Sequence, residues 1–265
     1  MPVYPTASGP IEVLEWGNGP TLILLLHAAA AGPGSLSVLA KALMGPGRRI
    51  VAPALHGYGR TLVEGADDPM AAHVTVVRAV LDRCPAERRV VIGQSMGGVV
   101  TLLAGLKADA LVVYEPIVLG LLRDDDPADR AARDWDRAIV AALEQHLAAG
   151  NPEAGIRVFV EAWNEVAWDA LPASVRARLI AAAPAMAREI RAGSSRPIAL
   201  DRVQAPLLIL QGSASPSITA RMTARLHAGV PGSRRMVLDG CGHMGPVQAS
   251  AAVAAAIEAA GGIGK

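Results

Sequence analysis

Two stretches of this chain carry residue types that could do covalent chemistry together: Gly93-Gln94-Ser95-Met96-Gly97 and Gly240-Cys241-Gly242-His243-Met244. A serine hydroxyl is a poor nucleophile until a base takes its proton, and an imidazole is the usual base. Ser95 is therefore the candidate nucleophile and His243 the candidate base. Ser95 sits where an apolar β-branched run, Val90-Val91-Ile92, gives way to the helical pattern of 99–107. Strand, glycine-flanked turn and helix are the context of a nucleophile elbow, which lifts the hydroxyl above the sheet edge. At a helix N-terminus the free N–H groups and the positive dipole end favour a developing oxyanion.

An oxyanion needs two converging donors. The N–H of Met96, directly after the serine, is one candidate. The second lies in the small-residue loop after the first long strand, where Ala29 follows His27 and Ala28. Tiny side chains there let the backbone approach a ligand.

The elements that must position these groups read as an α/β chain. Apolar runs at Thr21–Leu26, 48–52, 90–93, 110–114 and 207–210 predict strands buried on both faces. Segments 36–44, with Ser35 as its cap, 73–84, 99–107 and 247–260 have helical period. A weaker strand is expected at 11–16, at a sheet edge, and a last one at 236–238. Alternation at this spacing predicts a doubly wound, mostly parallel sheet. Between 117 and 197 no strand is apparent; three helical segments, 129–149, 152–166 and 174–192, form an inserted all-helical piece. The expected division is a core of 1–116 and 198–265 with an insertion of 117–197. The run Arg123-Asp124-Asp125-Asp126 reads as a solvated loop and helix start, because adjacent side chains diverge too far to share a metal.

Composition narrows the partners. The chain has 265 residues, 52% of them hydrophobic, and a mean hydropathy of +0.33, so a large core is expected. Formal charge is +1 and aromatics are 3%, which argues against nucleic acid as a partner. No apolar run reaches the length of a membrane span. The first residues do not read as a signal peptide. Cys84 and Cys241 read as two thiols, and the expected location is cytoplasmic. No CxxC, HExxH or phosphate-cradling glycine loop supports a metal or nucleotide cofactor, so none is expected. The expected partner is a small-molecule substrate; a homodimer is left open.

With Leu24-Leu25-Leu26-His27, Gly57-Tyr58-Gly59-Arg60, the Ser95 elbow and the His243 loop, the chain resembles the α/β-hydrolase superfamily over nearly its whole length. Val112-Val113-Tyr114-Glu115-Pro116 is similar to a capped bacterial subgroup of small-molecule serine hydrolases. The resemblance implies a Ser-His-acid enzyme acting on an ester, lactone, thioester or activated C–C bond, with the insertion as its cap. Its substrate would be small and mostly apolar, bound by His27, Ala28, Trp135, Phe159, Trp163 and Met244.

Three departures stand out. The family's His-Gly pair is His27-Ala28 here, and its Asp before the glycine-rich loop is Ala54. Where the family places its acid, the chain reads Gly212-Ser213-Ala214-Ser215-Pro216, without a carboxylate. Glu115, at the end of the neighbouring strand and still between Ser95 and His243 in the chain, is the candidate replacement. Related enzymes such as haloalkane dehalogenases carry their acid there. Other readings stay open: Glu115 only bonds loop N–H groups, Ser215 or a carbonyl orients His243 weakly, Asp239 serves, or the acid has been removed from a variant. A weakly oriented histidine would suit a lyase, cyclase or acyltransferase, or a ligand-binding protein without efficient turnover.

Overall fold

The strands alternate between two cores. The computed structural model describes residues 1–164 and 166–261. Leu22, Leu24, Leu26, Val91 and Val113 point into one buried cluster, whereas Ile23, Leu25, Val90, Ile92 and Val112 point into the other. Period-two side chains with both faces covered are what a doubly wound sheet requires. The sheet is built from β1 (Val3–Thr6), β2 (Gly9–Gly17), β3 (Thr21–Leu26), β4 (Arg48–Pro53), β5 (Arg88–Gln94), β6 (Ala110–Tyr114), β7 (Leu207–Gly212) and β8 (Arg234–Leu238). Its order is β1-β2-β4-β3-β5-β6-β7-β8, antiparallel at β1 and β2 and parallel from there on. All six parallel strands therefore end on one edge, where ligands collect in open α/β sheets.

Helices α1 (Ser37–Ala42), α2 (Pro69–Arg83) and α3 (Met96–Leu103) connect the first strands. Between β6 and β7 come α4 (Pro127–Ala148), α5 (Pro152–Asn164) and α6 (Ala173–Gly193). The closing part holds α7 (Ser217–Gly229), α8 (Gly245–Gln248) and α9 (Ser250–Ala259). The inserted helices share a buried cluster of their own, with Leu143, Ile156, Trp168 and Met186, which also takes in Ala30 of the loop after β3. No helix among the described residues is long and apolar enough to cross a membrane.

Several sequence expectations are corrected. The edge strand is β1, so β2 has neighbours on both sides. Ser35 does not cap a helix; its hydroxyl donates to the Gly32 carbonyl instead. The segment expected at 247–260 is two helices, broken at Ala249. The segment expected at 152–166 ends at Asn164, and position 165 lies outside the described residues. The Asp run is more than a solvated loop. Asp126 caps α4, accepting from the N–H groups of Ala128 and Asp129. Buried Asp129 accepts from Nε of Arg221 and of Arg225, at 2.6 and 2.7 Å, which ties α4 to α7.

Candidate active site

The elbow is set by the lack of room around it. A Cβ on Gly93 would stand 2.3 Å from the Gly97 carbonyl oxygen, and one on Gly97 would stand 2.3 Å from that of Leu26. Only glycine fits at either side of the serine. Ser95 itself has φ 53°, held by its N–H donating to Tyr114 O at 2.9 Å and its carbonyl accepting from Val99 N. Among the described residues three non-glycines have positive φ: Ala30, Ser95 and Glu115. Such conformations cost on the order of 1–3 kcal/mol each and persist where the surroundings dictate them. All three lie on the same sheet edge, so the strain is concentrated around one spot.

Strand register brings the side chains together. Gln94 pairs with Tyr114, so Ser95 and Glu115 follow on adjacent strand ends. His243 arrives on the loop after β8. Its Nε2 lies 3.1 Å from Ser95 Oγ, and its Nδ1 lies 2.7 Å from Glu115 Oε2. The other Glu115 oxygen accepts from Gly212 N at 2.7 Å. Glu115 thus reaches from the end of β6 across to the end of β7, the place left without a carboxylate of its own. With Nδ1–H donating to Glu115, Nε2 is free to accept from the serine. Glu115 is fully buried and His243 nearly so.

The alternatives for orienting His243 make no hydrogen bond to its ring. Asp239 Oδ1 accepts from the Ser213 hydroxyl, and Ser215 Oγ is buried without a partner among the described residues. The histidine loop is fixed by two groups whose part was not legible beforehand. The Tyr114 hydroxyl donates to Gly242 O at 2.7 Å, and Gln94 Nε2 donates to His243 O at 3.3 Å. The Trp163 ring covers His243, with centroids 5.1 Å apart.

Ser95, His243, Met96, Ala28 and Ala29 border a cavity of about 290 Å³, the rest of which is lined mostly by the inserted helices. Among the described residues neither the Met96 nor the Ala29 N–H has a hydrogen-bond partner. Phe159, Trp163 and Met244 also line it, as expected. Two expected contacts do not. His27 is fully buried, bonded through Nδ1 to Ala28 O at 2.9 Å and through Nε2 to the Leu55 N–H at 3.1 Å. Burial pushes its pKa down to about 4, so it is a neutral strut between two loops. Trp135 lies outside the cavity, half exposed, with its ring against Trp163. Cys241 is buried, and desolvation raises its thiol pKa, so it is not a reactive thiol.

A chain of contacts also links the insertion to the loop after β3. The Tyr58 hydroxyl accepts from Ala30 N at 2.7 Å and donates to Glu189 of α6 at 2.7 Å. The second Glu189 oxygen lies 3.4 Å from His73 Nε2. Tyr58 belongs to the glycine-rich loop seen in the sequence, but its partner lies 131 residues away and no local pattern announces it.

Comparison with known proteins agrees with this architecture. The sequence profile of the alpha/beta hydrolase family matches residues 23–256. No curated protein matches the sequence. Among solved structures, an alpha/beta hydrolase from Sphaerobacter thermophilus is similar, at 21% identity and a TM-score of 0.71, covering 97% of this chain and 98% of its own. An esterase from Exiguobacterium antarcticum matches at 16% identity and a TM-score of 0.72, covering 97% of this chain and 98% of its own. MenH from S. aureus matches at 16% identity and a TM-score of 0.73, covering 94% and 96%. At these identities the likeness speaks for the fold.

Proposed function

Since this chain belongs to the alpha/beta hydrolase family, we propose that it is a serine hydrolase cleaving carboxylic esters of small, mostly apolar substrates, lactones and thioesters being close variants. The observation that carries this reading is the Ser95–His243–Glu115 hydrogen-bonded chain opening onto an apolar cavity. In the proposed reaction Ser95 Oγ attacks the ester carbonyl while His243 Nε2 takes its proton. Glu115 holds the imidazole in the useful tautomer and stabilises the imidazolium that forms. The N–H groups of Met96 and Ala29 receive the carbonyl oxygen as it gains charge. His243 returns the proton to the leaving alcohol, which leaves an acyl group on Ser95. Water, deprotonated by His243, then attacks the acyl carbon and releases the acid.

The inserted helices, 117–197, act here as a cap over the core of 1–116 and 198–265. A cavity of about 290 Å³ suits a short-chain ester better than a lipid. The Glu115–His243 hydrogen bond supports the hydrolase reading over the lyase, cyclase, acyltransferase and binding-protein alternatives, which rested on a missing carboxylate. The test is a series of p-nitrophenyl esters from acetate to octanoate. Turnover is expected to peak at the shorter acyl chains and to fall by at least about three orders of magnitude in Ser95→Ala. Folded protein that turns over no ester, thioester or lactone would contradict the proposal.

A further inference from the structure

The buried stripe of α4 runs Asp129, Ala132, Asp136, Ile139, Leu143. Those intervals of three and four residues place all five on one face. Two members are acidic, and their surroundings differ. Asp129 is held by two guanidinium groups. Asp136 is 5% exposed, lines the cavity beside the site, and has no hydrogen-bond or ion-pair partner among the described residues. Buried carboxylates are normally paired, and one left open inside a ligand cavity marks a missing partner. Burial raises its pKa to about 6, so above neutral pH it carries a negative charge with no ion-pair partner among the described residues, in a mostly apolar space.

Other charged groups of the cavity do not supply that partner. Glu189 accepts from Tyr58 and lies 3.4 Å from His73 Nε2, His243 is engaged by Glu115 and Ser95, and Arg178 is exposed and forms no ion pair among the described residues. Phe159 and Trp163 border the same space, and aromatic rings can add to the attraction of a cation.

Resting on the hydrolase reading above, we infer that Asp136 is a specificity residue, and that the preferred substrate is an ester carrying a cationic nitrogen that pairs with the Asp136 carboxylate inside the cavity. The ion pair gives the buried Asp136 carboxylate the partner it lacks, while most of the surrounding lining is apolar.

The probe is a matched pair: butyrylcholine and its uncharged carbon isostere, 3,3-dimethylbutyl butyrate. The readout is the ratio of their kcat/KM values. The wild-type ratio is expected to exceed about ten at pH 8, a modest value for a desolvated charge pair. It should fall toward one at pH 5, as Asp136 takes up a proton. His243 acts on both esters and cancels in the ratio. In Asp136→Asn the ratio should be near one at every pH. Asp134→Asn, on the exposed face of α4, keeps the wild-type ratio. A wild-type ratio near one, or a high ratio that survives Asp136→Asn, would overturn the inference. If Asp136→Asn does not fold, the wild-type pH dependence decides. If no ester of any kind is turned over, the hydrolase reading has failed; calorimetric binding of choline, present in wild type and lost in Asp136→Asn, still tests Asp136 alone, and no binding to wild type overturns it.

Discussion

Glu115→Gln keeps the side-chain volume and takes away one acceptor. In the structure both carboxylate oxygens are in use, one for the Gly212 N–H and one for His243 Nδ1, each at 2.7 Å. A glutamine has a single carbonyl oxygen for two donors. If the oxygen faces Nδ1, the amide group opposes the Gly212 N–H and leaves a buried donor unpaired, a cost of about 1–3 kcal/mol in stability. If the oxygen faces Gly212, the amide donates to Nδ1, and the imidazole proton moves to Nε2. There it faces the Ser95 hydroxyl and cannot accept its proton. The second arrangement keeps the fold intact and silences the base. Loss of the orienting carboxylate in such a triad costs about four orders of magnitude in rate, which is about 5 kcal/mol at 1.36 kcal/mol per decade. KM should stay within about threefold, because Glu115 does not border the cavity. The assay is kcat and KM on p-nitrophenyl butyrate with a thermal melt of the same sample. A folded variant losing less than tenfold in kcat would refute the reasoning. Glu115→Asp serves as the companion: it keeps the charge but shortens the reach, and an activity between the two is expected.

Further predictions concern the contacts of the inserted helices and the pH response. Tyr58→Phe leaves the Ala30 N–H and the Glu189 carboxylate without their shared partner; stability should fall by about 1–3 kcal/mol and kcat roughly tenfold through a displaced oxyanion donor, measured by denaturant titration and steady-state kinetics. Asp136→Asn should stabilise the protein at pH 8. The folded-state pKa of Asp136, about 6, lies above its ordinary value of 3.8, so the native state binds its proton more tightly and stability drops as pH rises from 4 to 6. The variant's advantage should approach about 3 kcal/mol at pH 8 and vanish near pH 4. His27 works the opposite way: its pKa falls from 6.5 to about 4, so stability is lost as pH drops through that window. With the Asp136 contribution removed, the acid loss should be steeper than in wild type, by up to about 1.4 kcal/mol per pH unit.

The sheet was legible because its strands are short, continuous apolar runs such as Leu22–Leu26, bounded by turn residues and alternating with segments of helical period. Ser95 and His243 were legible because glycine spacing and chain order are local features. Glu115 could be put forward as the acid but its rivals could not be set aside, since its role depends on reaching Gly212 on the next strand. The orientation of rings was not legible: His27 and Trp135 have the right types and places, yet one is sealed between two loops and the other lies outside the cavity. Strand β1 is four residues with a proline, too short for an alternation to register. Tyr58, Glu189 and Asp136 escaped because their significance lies in partners, or the lack of one, across the fold.

The account stands on Ser95 being made nucleophilic by His243. The direct measurement is the rate and site of modification by an alkyl fluorophosphonate, read by intact and peptide mass spectrometry. One adduct per chain on Ser95 is predicted, forming at least about three orders of magnitude more slowly in His243→Ala. No adduct on folded protein, an adduct on another residue, or an unchanged rate without His243 would contradict it.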